Sequence, residues 1–264
     1  MLTMMVFSLA STSSKVQLRR SEFWVISSAE VELAKLGAKV IISGRRVNRL
    51  EELKAEIEKL GTEAYPLVMD VSKSADVKEK MASLPREWQD IDFLVNNAGM
   101  AVGTEKVFES EMEDYDKVID TNVKGLLYMI KAVVPQMVAR KSKGVVVNMG
   151  SVAGNIAYGG GAVYCGSKAA VRYISDGLRI DLMDTDIRVT CIEPGLVETE
   201  FSIIRFRGDT EKAKAVYTGI NALTADDIGE AVAYVCNLPE NVQIPEMVLT
   251  PAHQADSMNK HYEK

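Results

Sequence analysis

The stretch VVVNMGSVAGNIAYGGGAVYCGSKAA, residues 145–170, decides how this chain folds. Its opening, Val145-Val146-Val147, is a continuous apolar run ending in Asn148-Met149-Gly150-Ser151. That is the pattern of a strand buried on both faces, delivering a hydroxyl at its carboxyl end. Tyr164 follows thirteen residues after Ser151, and Lys168 four residues later. With a helix from Ala162 onward, Tyr164 and Lys168 stack one turn apart on the same face. A phenol, with a reference pKa of about 10, shuttles protons poorly at neutral pH unless its anion is stabilised, and an ammonium one turn away does this. Ser151 then hydrogen-bonds a carbonyl or alkoxide oxygen while Tyr164 gives or takes the proton, and such a site lacks only a hydride carrier.

A Tyr-x-x-x-Lys pair alone arises by chance in many helices, so its company decides. Upstream, Asn97-Ala98-Gly99 follow the strand pattern 91–95, and Asn122 falls in the helical stretch 115–140, which Pro135 is expected to interrupt. Downstream, Pro194-Gly195 follow the strand pattern 187–192. Taken in this order with Ser151, Tyr164 and Lys168, these residues resemble the short-chain dehydrogenase/reductase family over roughly residues 23–255.

The resemblance implies an α/β fold: a single Rossmann-type domain with a doubly wound, parallel, seven-stranded sheet and its site at the carboxyl ends of the strands. It also implies assembly into homodimers or homotetramers through the long helices. In the family's roles Tyr164 is the acid/base, Lys168 lowers its pKa and holds the nicotinamide ribose, Ser151 orients the carbonyl oxygen, and Asn122 supports a proton path through a water. Asp70 and Val71 correspond to the adenine pocket, and Asn97, Ala98 and Gly99 to the adenine ribose. Pro194, Gly195, Val197 and Thr199 belong to the turn that meets the nicotinamide. Arg45 and Arg46, after the strand pattern 39–43, stand where an acid would accept the ribose hydroxyls of NAD. Guanidinium groups there pair with a 2′-phosphate instead, so NADP is the expected cofactor. No metal is implied.

The run 200–209, EFSIIRFRGD, resembles the corresponding loop of the NADP-dependent 3-hydroxy acid dehydrogenases, a subgroup that oxidises serine, allo-threonine and similar short acids. Residues 196–223 are accordingly expected to form the substrate lid, with Arg205 or Arg207 clamping a carboxylate. Thr224 and Asp227 read as a helix start. Pro251-Ala252-His253-Gln254 fits the same subgroup, while His253 and His261 show no ligand spacing.

The chain departs from the family at one point. The strand pattern Phe23-Trp24-Val25-Ile26 and the helix pattern 29–36, stopped by Gly37, are separated only by Ser27-Ser28, where the family carries the turn T-G-x-x-x-G-x-G. No glycine lies between Met1 and Gly37. One competing reading is therefore an interaction subunit or defective isoform that binds no cofactor; another is a reductase of a different carbonyl substrate.

Composition narrows the classes. The chain has 264 residues, 47% of them hydrophobic, with no linker-like tract, which favours one large domain over two small ones. A net charge of −6 spread along the chain argues against a nucleic-acid surface. Cys165, Cys191 and Cys236 lack metal-ligand spacing and read as reduced packing residues of a cytoplasmic protein. Residues 1–21 contain no acid and one short apolar run. They are expected to be a disordered extension or an organellar transit segment preceding a domain over 22–264.

Overall fold

The computed structural model describes residues 3–6 and 28–263. Seven strands form one sheet in the order β3-β2-β1-β4-β5-β6-β7. They are β1 (Thr3–Val6), β2 (Val40–Gly44), β3 (Ala64–Val68), β4 (Phe93–Asn96), β5 (Val145–Met149), β6 (Arg188–Pro194) and β7 (Glu246–Leu249). The apolar runs seen in sequence become buried strands: β2, β4 and β6 at every residue, β5 at its first four.

Alternation along the strands feeds two helix layers. Val40 and Ile42 of β2 share a core with Leu33 of α1 (Ser28–Lys35), Leu53 of α2 (Val47–Lys59) and Val232 of α9 (Ala225–Cys236). Ile41, between them, belongs to the opposite core with Val77 of α3 (Ser74–Ala82) and Met129 of α5 (Leu126–Ala139). Leu178 of α6 (Ala162–Asp181) packs against that second core. This is the doubly wound arrangement expected from the sequence. Gly37 ends α1 at φ +84°, a conformation that costs glycine least, and its N–H bonds the Ala34 carbonyl at 2.8 Å.

Three expectations need correction. The sheet is not wholly parallel. β1 lies antiparallel between β2 and β4, with Thr3 opposite Ser43 and Met4 opposite Val95. The stretch 23–26, expected as the first strand, lies outside the described residues, and Thr3–Val6, expected to precede the domain, is a strand of its sheet. A short apolar segment can pair in either direction, and the edges of β2 and β4 offer unpaired backbone groups to both. The second correction concerns Pro135, which stands inside α5 without ending it. The break comes earlier, at a π-helical turn over Asp120–Gly125 between α4 (Met112–Ile119) and α5. The third is a matter of extent: the apolar run Leu67-Val68-Met69 reads as the third strand, whereas β3 begins three residues earlier and ends at Val68, because Ala64 and Tyr65 pair with Val40 and Ile41.

Residues 196–223 carry two short helices, α7 (Phe201–Arg205) and α8 (Thr210–Ala215), in otherwise irregular chain. Thr224 and Asp227 form the reciprocal cap that starts α9. All three cysteines are buried and free. No helix among the described residues is long and apolar enough to cross a membrane.

Candidate active site

The strand ends and the following loops enclose a cavity of about 1040 Å³ that runs from Ala29, Arg46 and Arg49 to Tyr164 and Arg205. Ser151 leaves β5 in extended conformation and is buried, its Oγ accepting from Ala153 N at 3.2 Å and donating to the Pro194 carbonyl at 3.3 Å. Helix α6 begins at Ala162, so Tyr164 and Lys168 sit one turn apart on its cavity side. The Lys168 Nζ lies 5.9 Å from the centre of the Tyr164 ring and donates to the Met149 carbonyl at 2.8 Å.

Burial governs both titrations. It raises the Tyr164 phenol well above its ordinary value, opposed by a hydrogen bond with Ser151. The same desolvation lowers Lys168 to about 8. The lysine does not offset burial at the phenol. The expected pairing of an ammonium with the phenolate is present as an arrangement, while the phenol remains firmly protonated.

Asn122 is part of the π-helical turn and does not line the cavity. Its amide is fully engaged, with Oδ1 accepting from Met100 N at 2.7 Å and Nδ2 donating to the Met100 carbonyl and Ser167 Oγ, each at 2.9 Å. These bonds fix the loop after β4 against α6. Single-turn π bulges of this kind recur at functional sites.

The residues expected to face a cofactor divide. Asn97 and Gly99 line the cavity, and so do Pro194, Gly195, Val197 and Thr199. Arg46 lines it as well, joined by Arg49, one turn into α2, whose helical setting in the sequence gave no sign of a site. Ala98, Arg45, Asp70 and Val71 do not line it. Arg45 faces Asp70 at 3.8 Å, Asp70 accepts from Ser72 N and Oγ, and Val71 packs under Gly125.

A nicotinamide dinucleotide fits the residues at both ends of this cavity. Arg45, Arg46 and Arg49 follow β2, the last two on the cavity wall. At the other end, a Cβ added to Gly99 would stand 3.0 Å from Lys168 Nζ, so the glycine keeps the space beside the lysine open. Between the ends, α1 presents Ala29 to the cavity, and the chain before it holds no glycine.

The segment 196–223 separates the two candidate clamps. Arg205 lines the cavity, donates to Tyr158 Oη at 2.8 Å and stacks on that ring. Its Nε is buried with no acceptor among the described residues. Arg207 does not line the cavity; it binds Asp114 of α4 at 2.7 Å and lies 3.8 Å from Glu105. Two further features were not foreseen. Glu200 takes Arg46 at 3.0 Å and Arg49 at 3.1 Å. The segment after β7 forms a wall of the cavity: Gln254 Oε1 accepts from Leu196 N at 2.7 Å, Ser257 Oγ donates to the Ile156 carbonyl at 2.6 Å, and Gln254, Ser257, Met258 and Lys260 line it. The family-like Pro251–Gln254 run pointed to this segment, but nothing in its pattern showed which way it folds.

Comparison with known proteins agrees with this geometry. Residues 28–208 match the family model described as short chain dehydrogenase. The chain is 50% identical over 220 residues to an NADP-dependent 3-hydroxy acid dehydrogenase of Salmonella typhi, an alignment covering 83% of this chain and 87% of that protein. It is 41% identical over 239 residues to the NADP-dependent 3-hydroxy acid dehydrogenase of Schizosaccharomyces pombe, covering 90% and 92%. Among solved structures, the closed form of a serine dehydrogenase complexed with NADP+ superposes with a TM-score of 0.83 at 45% identity, covering 90% of this chain and 94% of that one. On sequence, fold and the placing of Ser151, Tyr164 and Lys168 together, the chain belongs to the short-chain dehydrogenase family.

Proposed function

We propose that this chain is an NADP-dependent dehydrogenase of short 3-hydroxy acids, of the size of serine, allo-threonine or 3-hydroxypropanoate. The observation that carries the substrate class is Arg205. It faces the same cavity as Ser151 and Tyr164, with a buried Nε that finds no acceptor among the described residues. A guanidinium so placed takes a carboxylate with directed bonds. Arg207, held by Asp114, positions the lid instead.

Bound NADP supplies the hydride acceptor. Arg46 and Arg49 hold the 2′-phosphate, with Arg45 beside them; Asn97 and Gly99 give the adenine ribose room, and Asp70, Val71 and Ala98, which do not line the cavity, support that end from behind. Pro194, Gly195, Val197 and Thr199 border the nicotinamide, and Lys168 holds its ribose. Ser151 orients the substrate oxygen; Tyr164 gives its proton to that oxygen in the reducing direction and, in the oxidising direction, takes the hydroxyl proton once its own has left; Asn122 keeps the lysine's surroundings in register for proton exit. A dimer or tetramer closes over the exposed apolar residues Tyr173 and Ile180 of α6 and Met183 just beyond it.

Formation of NADPH on adding serine or 3-hydroxypropanoate to the purified chain with NADP tests the reading. Turnover dependent on both NADP and the acid supports it. A folded protein that binds NADP yet oxidises neither acid favours a different carbonyl substrate; one that binds no cofactor favours the non-catalytic reading, for which the missing glycine turn is the evidence.

A further inference from the structure

The substrate end of the cavity carries a second cation. After β7 the chain turns into a hairpin in which Gln254 bridges Lys260, Ala255 N bonds the Asn259 carbonyl at 2.9 Å, and His261 N bonds the His253 carbonyl at 2.9 Å. Gln254 and Ser257 pin this hairpin to Leu196, after β6, and to Ile156. Lys260 is thereby set on the cavity wall, half-buried, with Nζ donating to the Ser257 carbonyl at 2.6 Å.

Three facts make Lys260 more than a surface lysine. Its ammonium is bonded to a carbonyl and forms no ion pair with any described residue. The hairpin's own acid, Asp256, is committed elsewhere, its carboxylate accepting from Met258 N, Asn259 N and Asn259 Nδ2, each at 2.8 Å. And the charge of Arg205, on the lid, reaches Lys260: burial lowers the lysine's pKa most, Asp256 opposes this, and Arg205 lowers it further. Two cations from separate elements thus face one cavity, with no described carboxylate bridging them. Such an arrangement is unfavourable by itself and becomes favourable when an anion enters.

We propose that Lys260 is a substrate-binding residue: with Arg205 it receives the carboxylate of the hydroxy acid, and it gives the site its selectivity for anionic over neutral substrates. This deepens the hydroxy-acid reading and rests on it. Arg205 supplies directed bonds from a guanidinium braced by Tyr158, whereas Lys260 is a point charge that tolerates acids of different length.

The test compares 3-hydroxypropanoate with its neutral methyl ester in the wild type, Lys260→Met and Lys260→Arg. The expected result is that Lys260→Met lowers the acid-to-ester ratio of kcat/KM about tenfold and Lys260→Arg restores most of it. An unchanged ratio in Lys260→Met overturns the assignment while leaving the hydroxy-acid reading intact. A wild type that turns over ester and acid alike overturns both. Calorimetric titration of 3-hydroxypropanoate reads the contact without turnover: weaker binding in Lys260→Met supports it, and equal binding in both proteins overturns it.

Discussion

Lys168 Nζ is bonded to the Met149 carbonyl and stands 5.9 Å from the centre of the Tyr164 ring, so the lysine reaches past the tyrosine to the end of β5. The pair shares one desolvated wall, and each is pushed toward its neutral form. Catalysis at neutral pH then depends on what the substrate and cofactor add to this wall. Because the phenol is held protonated, Tyr164→Phe removes the donor with little change in packing. The expected loss in kcat is on the order of 10²–10⁴, with NADPH affinity nearly retained, as read by steady-state kinetics beside a binding titration.

The same two residues predict how stability depends on pH. Lys168 falls from 10.5 when unfolded to about 8 in the fold, so the unfolded chain binds more protons between these values. Its contribution to stability therefore rises as pH goes from about 8 to 10.5. Tyr164 has its folded pKa above the ordinary 10.0, so the unfolded chain loses that proton first and stability falls as pH rises beyond that value. Cys191 and Cys236, pushed by burial from 9.0 to about 12, lower stability above pH 9 in the same way as Tyr164, so the lysine is read as a difference: in denaturant melts of the cofactor-free protein, the wild type should gain stability relative to Lys168→Met as pH rises from about 8 to 10.5. A difference that stays constant across this range would contradict the assignment to Lys168.

Gly99→Ala tests the space kept beside the lysine. The new methyl, 3.0 Å from Nζ, displaces the ammonium while leaving the strand ladder intact. NADPH should bind about tenfold more weakly, with the melting temperature nearly unchanged.

Glu200 occupies both Arg46 and Arg49, the groups assigned to the 2′-phosphate. A carboxylate and a phosphate compete for the same guanidinium faces. Glu200→Gln should tighten NADPH severalfold and leave NADH unchanged, the effect being modest because the pair is partly exposed. Weaker NADPH binding in that variant would instead make Glu200 a brace for the arginines.

Much of this was readable in sequence because it rests on local rules. The valine run of β5 has the continuous apolar pattern of a buried strand, and the four-residue spacing of Tyr164 and Lys168 survives any helix that starts near Ala162. What escaped depends on contacts distant in the chain. Arg205 and Arg207 are equivalent in sequence, and they are told apart only by Tyr158 on one side and Asp114 on the other. Lys260 acquires its meaning from a hairpin whose anchors lie at Leu196 and Ile156. The antiparallel β1 was not legible because four residues state no direction, and the family's spacing before α1 pointed to 23–26 instead.

Whether this chain binds NADP without the glycine turn is decided by titrating the purified protein with NADPH and with NADH and following nicotinamide fluorescence. Micromolar binding of NADPH and much weaker binding of NADH are expected, because Arg46 and Arg49, assigned above to the 2′-phosphate, line the cavity just beyond the end of β2. A folded protein that binds neither would contradict the NADP-dependent reading and leave Ser151, Tyr164 and Lys168 as a constellation without a hydride carrier.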